Sequence, residues 1–356
     1  MRRPLLMFAV TVLLGACGGG HDGARATSTT GRADAQVRSQ RVLDDAIGAR
    51  DPGCSAAVGL EGKVAWTGVR GVADVSTHEA ITPDTVFDIA SVSKQFTASA
   101  LLLLVDGGAL TLGDPVSRHL PELPGWASTV TLDQLMHQTS GIPDYVGLLE
   151  AQGFQAGDRT TEDQALRALA GVDQLEYEPG SRFEYSNSNY LLLGEIVHRT
   201  AREPLPEYLA GQFFRPLGLN MVVEPTGSIL GKAVGYDKDG KAVASGWEQV
   251  GDGGIQTTPS QLVRWADNYR TGRVGGPTLL RAQLAGAVPT EPGGGDRYGA
   301  GIYLLATGAL DHDGSWGGFV TAFRVSKDRA TSLAISCNTD KQDPEALAEA
   351  LGRLWM

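Results

Sequence analysis

Apolar positions fall into different rhythms along this chain, and the rhythms change at two places. Ala56–Leu60 and Val64–Val69 are strand-like runs joined by Glu61-Gly62-Lys63, which predicts a β-hairpin within residues 55–76. Near the other end, Gly299–Ala306, Phe319–Ser326 and Ala330–Cys337 predict strands, with Gly317-Gly318 and Lys327-Asp328-Arg329 as turns. Glu345–Trp355 closes the chain as an amphipathic helix. Between these sets the period is mainly helical, over Leu132–His137, Thr161–Ala170, Tyr190–Arg199, Glu207–Phe214 and Pro259–Arg270. One further run, Phe96, Ala98, Ala100, Leu101, Leu103 and Leu104, is apolar all round and stops at Asp106-Gly107-Gly108, as a buried helix does. Strands, then helices, then strands predict an α+β fold whose sheet is built from both chain ends. The sheet-bearing lobe then covers about residues 41–110 and 245–356, and the mainly helical inserted lobe about 111–244.

The first forty residues follow another pattern. Arg2 and Arg3, an apolar core from Leu5 to Leu14, and Leu14-Gly15-Ala16-Cys17 read as an export signal over residues 1–16. The core is too short to span a bilayer, which takes ~20 apolar residues. From Cys17 to about residue 40 the chain is polar and rich in Ala, Ser, Thr, Gly and Arg, so a flexible tether is expected there. No later apolar run is long enough to cross a membrane. The formal net charge of −11 argues against nucleic acid or an anionic lipid surface as the main partner. No phosphate loop and no zinc-ligand spacing occurs, so no cofactor and no metal is expected. Asp237-Lys238-Asp239-Gly240-Lys241 lacks the closing acid of a calcium loop and reads as a hairpin turn.

The candidate chemistry begins at Ser91-Val92-Ser93-Lys94, at the mouth of the buried-helix run. Residues three apart on a helix share a face, so the Ser91 hydroxyl and the Lys94 amine can meet. The unpaired N–H groups of a helix start favour a developing oxyanion, and a desolvated lysine can lose its proton and act as a base. Of the seven lysines, only Lys94 has a serine three residues before it. A second segment, Pro179–Asn187, leads into the apolar helix Tyr190–Val197 and presents Tyr185 and Asn187 two residues apart. They can offer a phenol and an amide to one pocket, and a nearby charged lysine is expected to lower the phenol's pKa.

Taken in order, these two segments resemble the Ser-x-x-Lys and Tyr-x-Asn motifs of the serine β-lactamase and penicillin-binding protein superfamily. The resemblance is greatest to the class C β-lactamase-like branch, which includes DD-peptidases, D-amino-acid peptidases and family VIII esterases. It runs from about residue 42 to the C-terminus. Phe87–Ala90, Leu135–Ile142, Leu217-Gly218-Leu219 and Gly253–Thr258 also look like stretches typical of the branch, that around His137 having a structural role. His312-Asp313-Gly314-Ser315 stands where the superfamily carries its third motif, on a strand facing the nucleophile.

The resemblance implies an antiparallel sheet flanked by helices and a serine hydrolase that opens an amide or ester through an acyl-enzyme. It implies Ser91 as nucleophile, and Lys94 and Tyr185 as the proton-transfer pair. Asn187 would orient Lys94 and the substrate, the N–H groups of Ser91 and Ser315 would form an oxyanion hole, His312 would bind substrate or shuttle a proton, and Gly314 would admit the acyl group. With His312 in place of a lysine, and mostly neutral near pH 7, a substrate carboxylate would be held weakly. D-peptides, esters and β-lactams are the substrates implied, for a small-molecule or peptide partner. A lipid-anchored penicillin-binding sensor that acylates with little turnover is the alternative. Leu14–Cys17 likewise resembles a bacterial lipobox, which implies lipidation of Cys17 and a membrane-anchored protein of the periplasm or cell surface. Finally, the branch sets the first and last strands side by side, which implies a disulfide between Cys54 and Cys337.

Overall fold

The structure is a computed structural model and describes residues 29–356, so the export signal and Cys17 lie outside the described residues. Helix α1 (Thr29–Ala46) precedes the hairpin of β1 (Cys54–Leu60) and β2 (Lys63–Arg70). The buried-helix run is α2 (Lys94–Asp106), entered through a 3-10 turn at Ala90–Ser93. Then come α3 (Leu132–Met136), α4 (Tyr145–Ala151), α5 (Glu162–Ala170), α6 (Asn187–Ala201), α7 (Pro259–Ala266) and α8 (Gly276–Leu284). Five strands follow: β3 (Val288–Pro289), β4 (Arg297–Tyr298), β5 (Tyr303–Leu304), β6 (Leu310–Trp316) and β7 (Phe319–Val325). The last strand, β8 (Thr331–Cys337), leads to α9 (Pro344–Trp355).

The strands form one antiparallel sheet in the order β3-β4-β5-β6-β7-β8-β1-β2, so strands from the two chain ends pair directly, one strand in from an edge. Side chains alternate across it. Ala56, Val58, Leu333 and Ile335 pack under Leu43, Ile47, Leu347 and Leu351 of the terminal helices, while Ala57, Phe323 and Ala334 join the larger core containing α2, α6 and α7. Register pairs Cys54 directly with Cys337, and the two are joined by a disulfide.

The expectation of a tether to about residue 40 is corrected by α1, which begins at Thr29. Composition missed it because the helix is held from outside. Leu43 is buried, Trp355 donates its indole N–H to Ser39 Oγ at 2.8 Å, and the amides of Gln36 and Gln40 donate to the carbonyls of Ala65 and Val69.

The strand expected over Gly299–Ala306 shortens to β5 at Tyr303–Leu304, because its first residues form the tight turn from β4, closed by Gly299 N–H donating to Ile302 O at 2.8 Å. Strand β6 escaped the hydrophobic pattern because its inward positions are Leu310, His312 and Gly314, only one of them large and apolar. The helix expected over Pro259–Arg270 breaks after Ala266 and resumes as Asn268–Thr271.

Candidate active site

Ser91 stands one residue inside the 3-10 turn that opens α2 and lines a narrow cleft of about 70 Å³. The residue before it, Ala90, has φ 46°, a left-handed conformation that L side chains rarely adopt. Asp88 holds it there, since its Oδ1 accepts Ala90 N–H at 2.8 Å while Oδ2 accepts the Gln256 amide at 2.6 Å. Strand β6 lies directly against this turn. A Cβ on Gly314 would come within 2.4 Å of Ile89 O and 3.0 Å of Ser91 N, so only glycine lets the strand approach the nucleophile. The role expected for Gly314, admitting the acyl group, is therefore recast as a contact between strand and turn. Ser315 lines the cleft beside Ser91.

Lys94 is fully buried, and its Nζ has three neighbours: Ser91 Oγ at 2.9 Å, Asn187 Oδ1 at 2.8 Å and Asp252 O at 2.7 Å. Two of these are carbonyl oxygens, which can only accept. A neutral amine has two N–H bonds and one lone pair, so once both carbonyls are served the lone pair faces the Ser91 hydroxyl. Burial lowers the Lys94 pKa to about 8, against the opposing pull of Asp252, Asp144 and Asp313. A neutral Lys94 in this setting has the geometry to accept one proton, that of Ser91.

The aim is set from behind. Asp144 caps α4 by accepting Val146 N–H at 2.9 Å with Oδ1, and its Oδ2 accepts both N–H (2.8 Å) and Nδ2–H (2.9 Å) of Asn187. That pair turns Asn187 Oδ1 toward Lys94. Gly251, at φ 104°, presses against Tyr190 O on α6, and Thr97 donates to Gly251 O at 2.7 Å; together they bring the next carbonyl, that of Asp252, to the lysine. Sequence reasoning missed Asp144, Asp252 and Tyr145, although Asp144 precedes a helix as an N-cap does and Asp252 abuts Gly253-Gly254.

Tyr185 and His312 depart from expectation. The Lys94 Nζ lies over the Tyr185 ring, 5.0 Å from its centre, and makes no hydrogen bond to its hydroxyl. Burial therefore prevails and holds the Tyr185 pKa well above its usual value, with only the nearby Ser91 hydroxyl pulling it down. The expected lowering is corrected: Tyr185 keeps its proton. Its buried Oη has no hydrogen-bond partner among the described residues, so that proton is uncommitted. His312 is 1% exposed and sits among the rings of Tyr185, Tyr298 and Tyr303, behind the cleft wall and away from its surface.

The His312 Nδ1–H donates to Asp313 O at 2.6 Å, and Nε2 accepts from Tyr298 Oη at 3.3 Å. Burial lowers its pKa to about 4. It is a neutral neighbour of Tyr185 and does not itself line the cleft. His137 is buried between Asp133 O and Ala285 O, the structural place expected of it.

The remaining wall is formed by Tyr145, Trp247, Gln249, Asp252 and Trp316. Among the described residues no cluster of three or more His, Cys, Asp or Glu side chains is placed to hold a metal ion.

The sequence model of the family described as Beta-lactamase matches residues 40–354. Protein flp of Staphylococcus aureus (strain MW2) is 33% identical over 195 residues, covering 53% of this chain and 38% of its own length. The chain thus matches under half of that relative. The D-aminopeptidase of Brucella anthropi is 27% identical over 296 residues, 80% of this chain and 56% of its own. Among solved structures, the octameric penicillin-binding protein homologue of Pyrococcus abyssi superposes with TM-score 0.76 at 25% identity, covering 92% of this chain and 77% of its own. The D-amino acid amidase of Ochrobactrum anthropi SV3 complexed with L-phenylalanine does so with TM-score 0.74 at 25% identity, covering 90% and 97%.

Proposed function

We propose, from the premise that this chain belongs to the Beta-lactamase family, that it is a serine hydrolase cleaving an amide or ester bond of short D-configured substrates. The observation that carries the reading is the triple contact of the Lys94 Nζ, which leaves its lone pair no target except the Ser91 proton. Neutral Lys94 takes that proton as Ser91 Oγ bonds to the carbonyl carbon. The resulting oxyanion meets the backbone N–H groups of Ser91 and Ser315, each such donor contributing about 3 kcal/mol in comparable acyl-transfer sites. The leaving nitrogen or oxygen is protonated from Tyr185, which recovers a proton from Lys94, and the carbonyl re-forms as the acyl-enzyme. Water then repeats the sequence on the ester of Ser91. The choice of D-configured substrates rests on similarity to a D-aminopeptidase and a D-amino acid amidase.

The test is a panel of D-peptide, ester and β-lactam substrates alongside fluorophosphonate labelling. Ser91→Ala is expected to lose both labelling and turnover while folding normally, since alanine suits a helix start and only a hydroxyl is lost. Labelling without turnover on every substrate would favour the penicillin-binding sensor. Export and lipidation are part of the same proposal, supported by Arg2, Arg3, the apolar Leu5–Leu14 and Leu14-Gly15-Ala16-Cys17, and by a disulfide suited to an oxidising compartment. Metabolic palmitate labelling that persists in Cys17→Ser would remove the anchor.

A further inference from the structure

The cleft around Ser91 has one polarity. Its lining residues include the carboxyl groups of Asp88 and Asp252 and no arginine or lysine. The cation behind it, Lys94, has all three of its contacts filled by protein. Asp88 is likewise committed, with both oxygens bonded within the fold. Asp252 differs: its Oδ2 accepts the Tyr145 hydroxyl at 3.0 Å, and a carboxylate with about four lone-pair sites retains capacity to accept more. Tyr145 and Trp247 stand beside it with ring centres 6.2 Å apart, and Trp316 closes the wall at 5.4 Å from Trp247. Aromatic faces around a carboxylate attract cations and offer little to anions.

We propose that Asp252, walled by Tyr145 and Trp247, is the subsite for the protonated amino group of the substrate, so that the enzyme prefers amides of amino acids whose α-amine is free. The inference rests on the hydrolase reading above and names the substrate charge that reading leaves open.

Reach supports it. An α-nitrogen is two bonds from the carbonyl carbon, and that carbon must approach Ser91 Oγ to about 3 Å, so the amine lies within roughly 5–6 Å of the nucleophile. The backbone oxygen of Asp252 and Ser91 Oγ meet the same Lys94 Nζ, at 2.7 Å and 2.9 Å, and Asp252 lines the same cleft as Ser91, so the residue borders the space that the amine enters. The charged and titratable groups facing Asp252 are Lys94, Tyr145, Asp144 and, on α5, Glu162. Lys94 is the only basic group among them and acts as the neutral amine, so a substrate ammonium supplies a positive charge to this acidic set.

The experiment compares D-alanine p-nitroanilide with propionyl p-nitroanilide, which lacks only the amine, in the wild type, Asp252→Asn and Trp247→Leu. The wild type is expected to prefer the amine-bearing anilide in kcat/KM on the order of 10- to 100-fold, the range of a charge-assisted hydrogen bond. In Asp252→Asn that ratio falls toward one, and in Trp247→Leu it falls several-fold. Because the ratio is read within one protein, general damage to the site cancels. Protection of Ser91 from fluorophosphonate by D-alaninamide against propionamide reads the same preference as binding. A wild-type ratio at or below one, an unchanged ratio in Asp252→Asn, or equal protection by the two amides overturns the ammonium subsite. Labelling with unequal protection but no turnover overturns the hydrolase reading and leaves the subsite standing.

Discussion

Raising the pH from 7 to 9 should accelerate acylation of Ser91 about tenfold, because the burial of Lys94 brings its pKa to about 8. The active form is the neutral amine. With a midpoint of about 8, roughly a tenth of the molecules carry it at pH 7 and roughly nine-tenths at pH 9. Fluorophosphonate is the suitable probe, having no group that titrates in this range, and the second-order labelling constant is the quantity to plot. Below pH 8 its logarithm should rise with unit slope. Tyr185 is held well above its usual value and His312 is lowered to about 4, so neither supplies this limb; Glu162 on α5, which burial raises to about 8, accepts Val250 N–H, and Glu162→Gln should leave the profile in place.

A second perturbation fixes the sign. Asp313 is exposed on β6 and its charge helps to keep the proton on Lys94. Asp313→Asn removes that attraction and should move the midpoint a few tenths of a pH unit lower, as expected for a charge acting through a largely solvated path. A profile flat between pH 6 and 9, a midpoint near 10, or a higher midpoint in Asp313→Asn would refute the account of Lys94 as a desolvated base.

Tyr185→Phe removes the uncommitted phenolic proton and should lower anilide turnover about 10²- to 10⁴-fold while Ser91 still labels with fluorophosphonate, measured as kcat against labelling rate; unchanged turnover would remove Tyr185 from proton delivery. Gly314→Ala forces a methyl against Ile89 O and should cost about 1–3 kcal/mol in a denaturant melt, with a larger loss of activity because Ser91 moves too; wild-type activity would show that the strand is not held at that contact. Reducing the Cys54–Cys337 bridge should lower stability by on the order of 4 kcal/mol, read as a fall in Tm on adding dithiothreitol to the folded protein, and an unchanged Tm would contradict a closed loop of this length. Nitrocefin turnover should stay below ~10⁴ M⁻¹s⁻¹ in kcat/KM, since the cleft lining has two carboxyl groups and no cation for the β-lactam carboxylate; a value above ~10⁶ M⁻¹s⁻¹ would sink that argument.

The sequence by itself determined the elements whose apolar period is local. The hairpin of β1 and β2, the buried α2 and the amphipathic α9 all carry their burial pattern in consecutive residues. Motif order also placed Ser91, Lys94, Tyr185 and Asn187 together, since a helix turn or an extended dipeptide fixes which neighbours share a face. Tertiary structure decided what depends on residues far apart in the chain. Helix α1 forms against β2 and α9, on contacts its own composition does not announce. The proton states of Tyr185 and His312 followed from burial and from the side of the ring that Lys94 meets, two facts with no local sequence signal. The carbonyl of Asp252 reaches Lys94 only because Gly251 bends the backbone against α6. Desolvation and backbone approach are properties of the assembled core, and they convert a Ser-x-x-Lys spacing into a base with its lone pair aimed at Ser91.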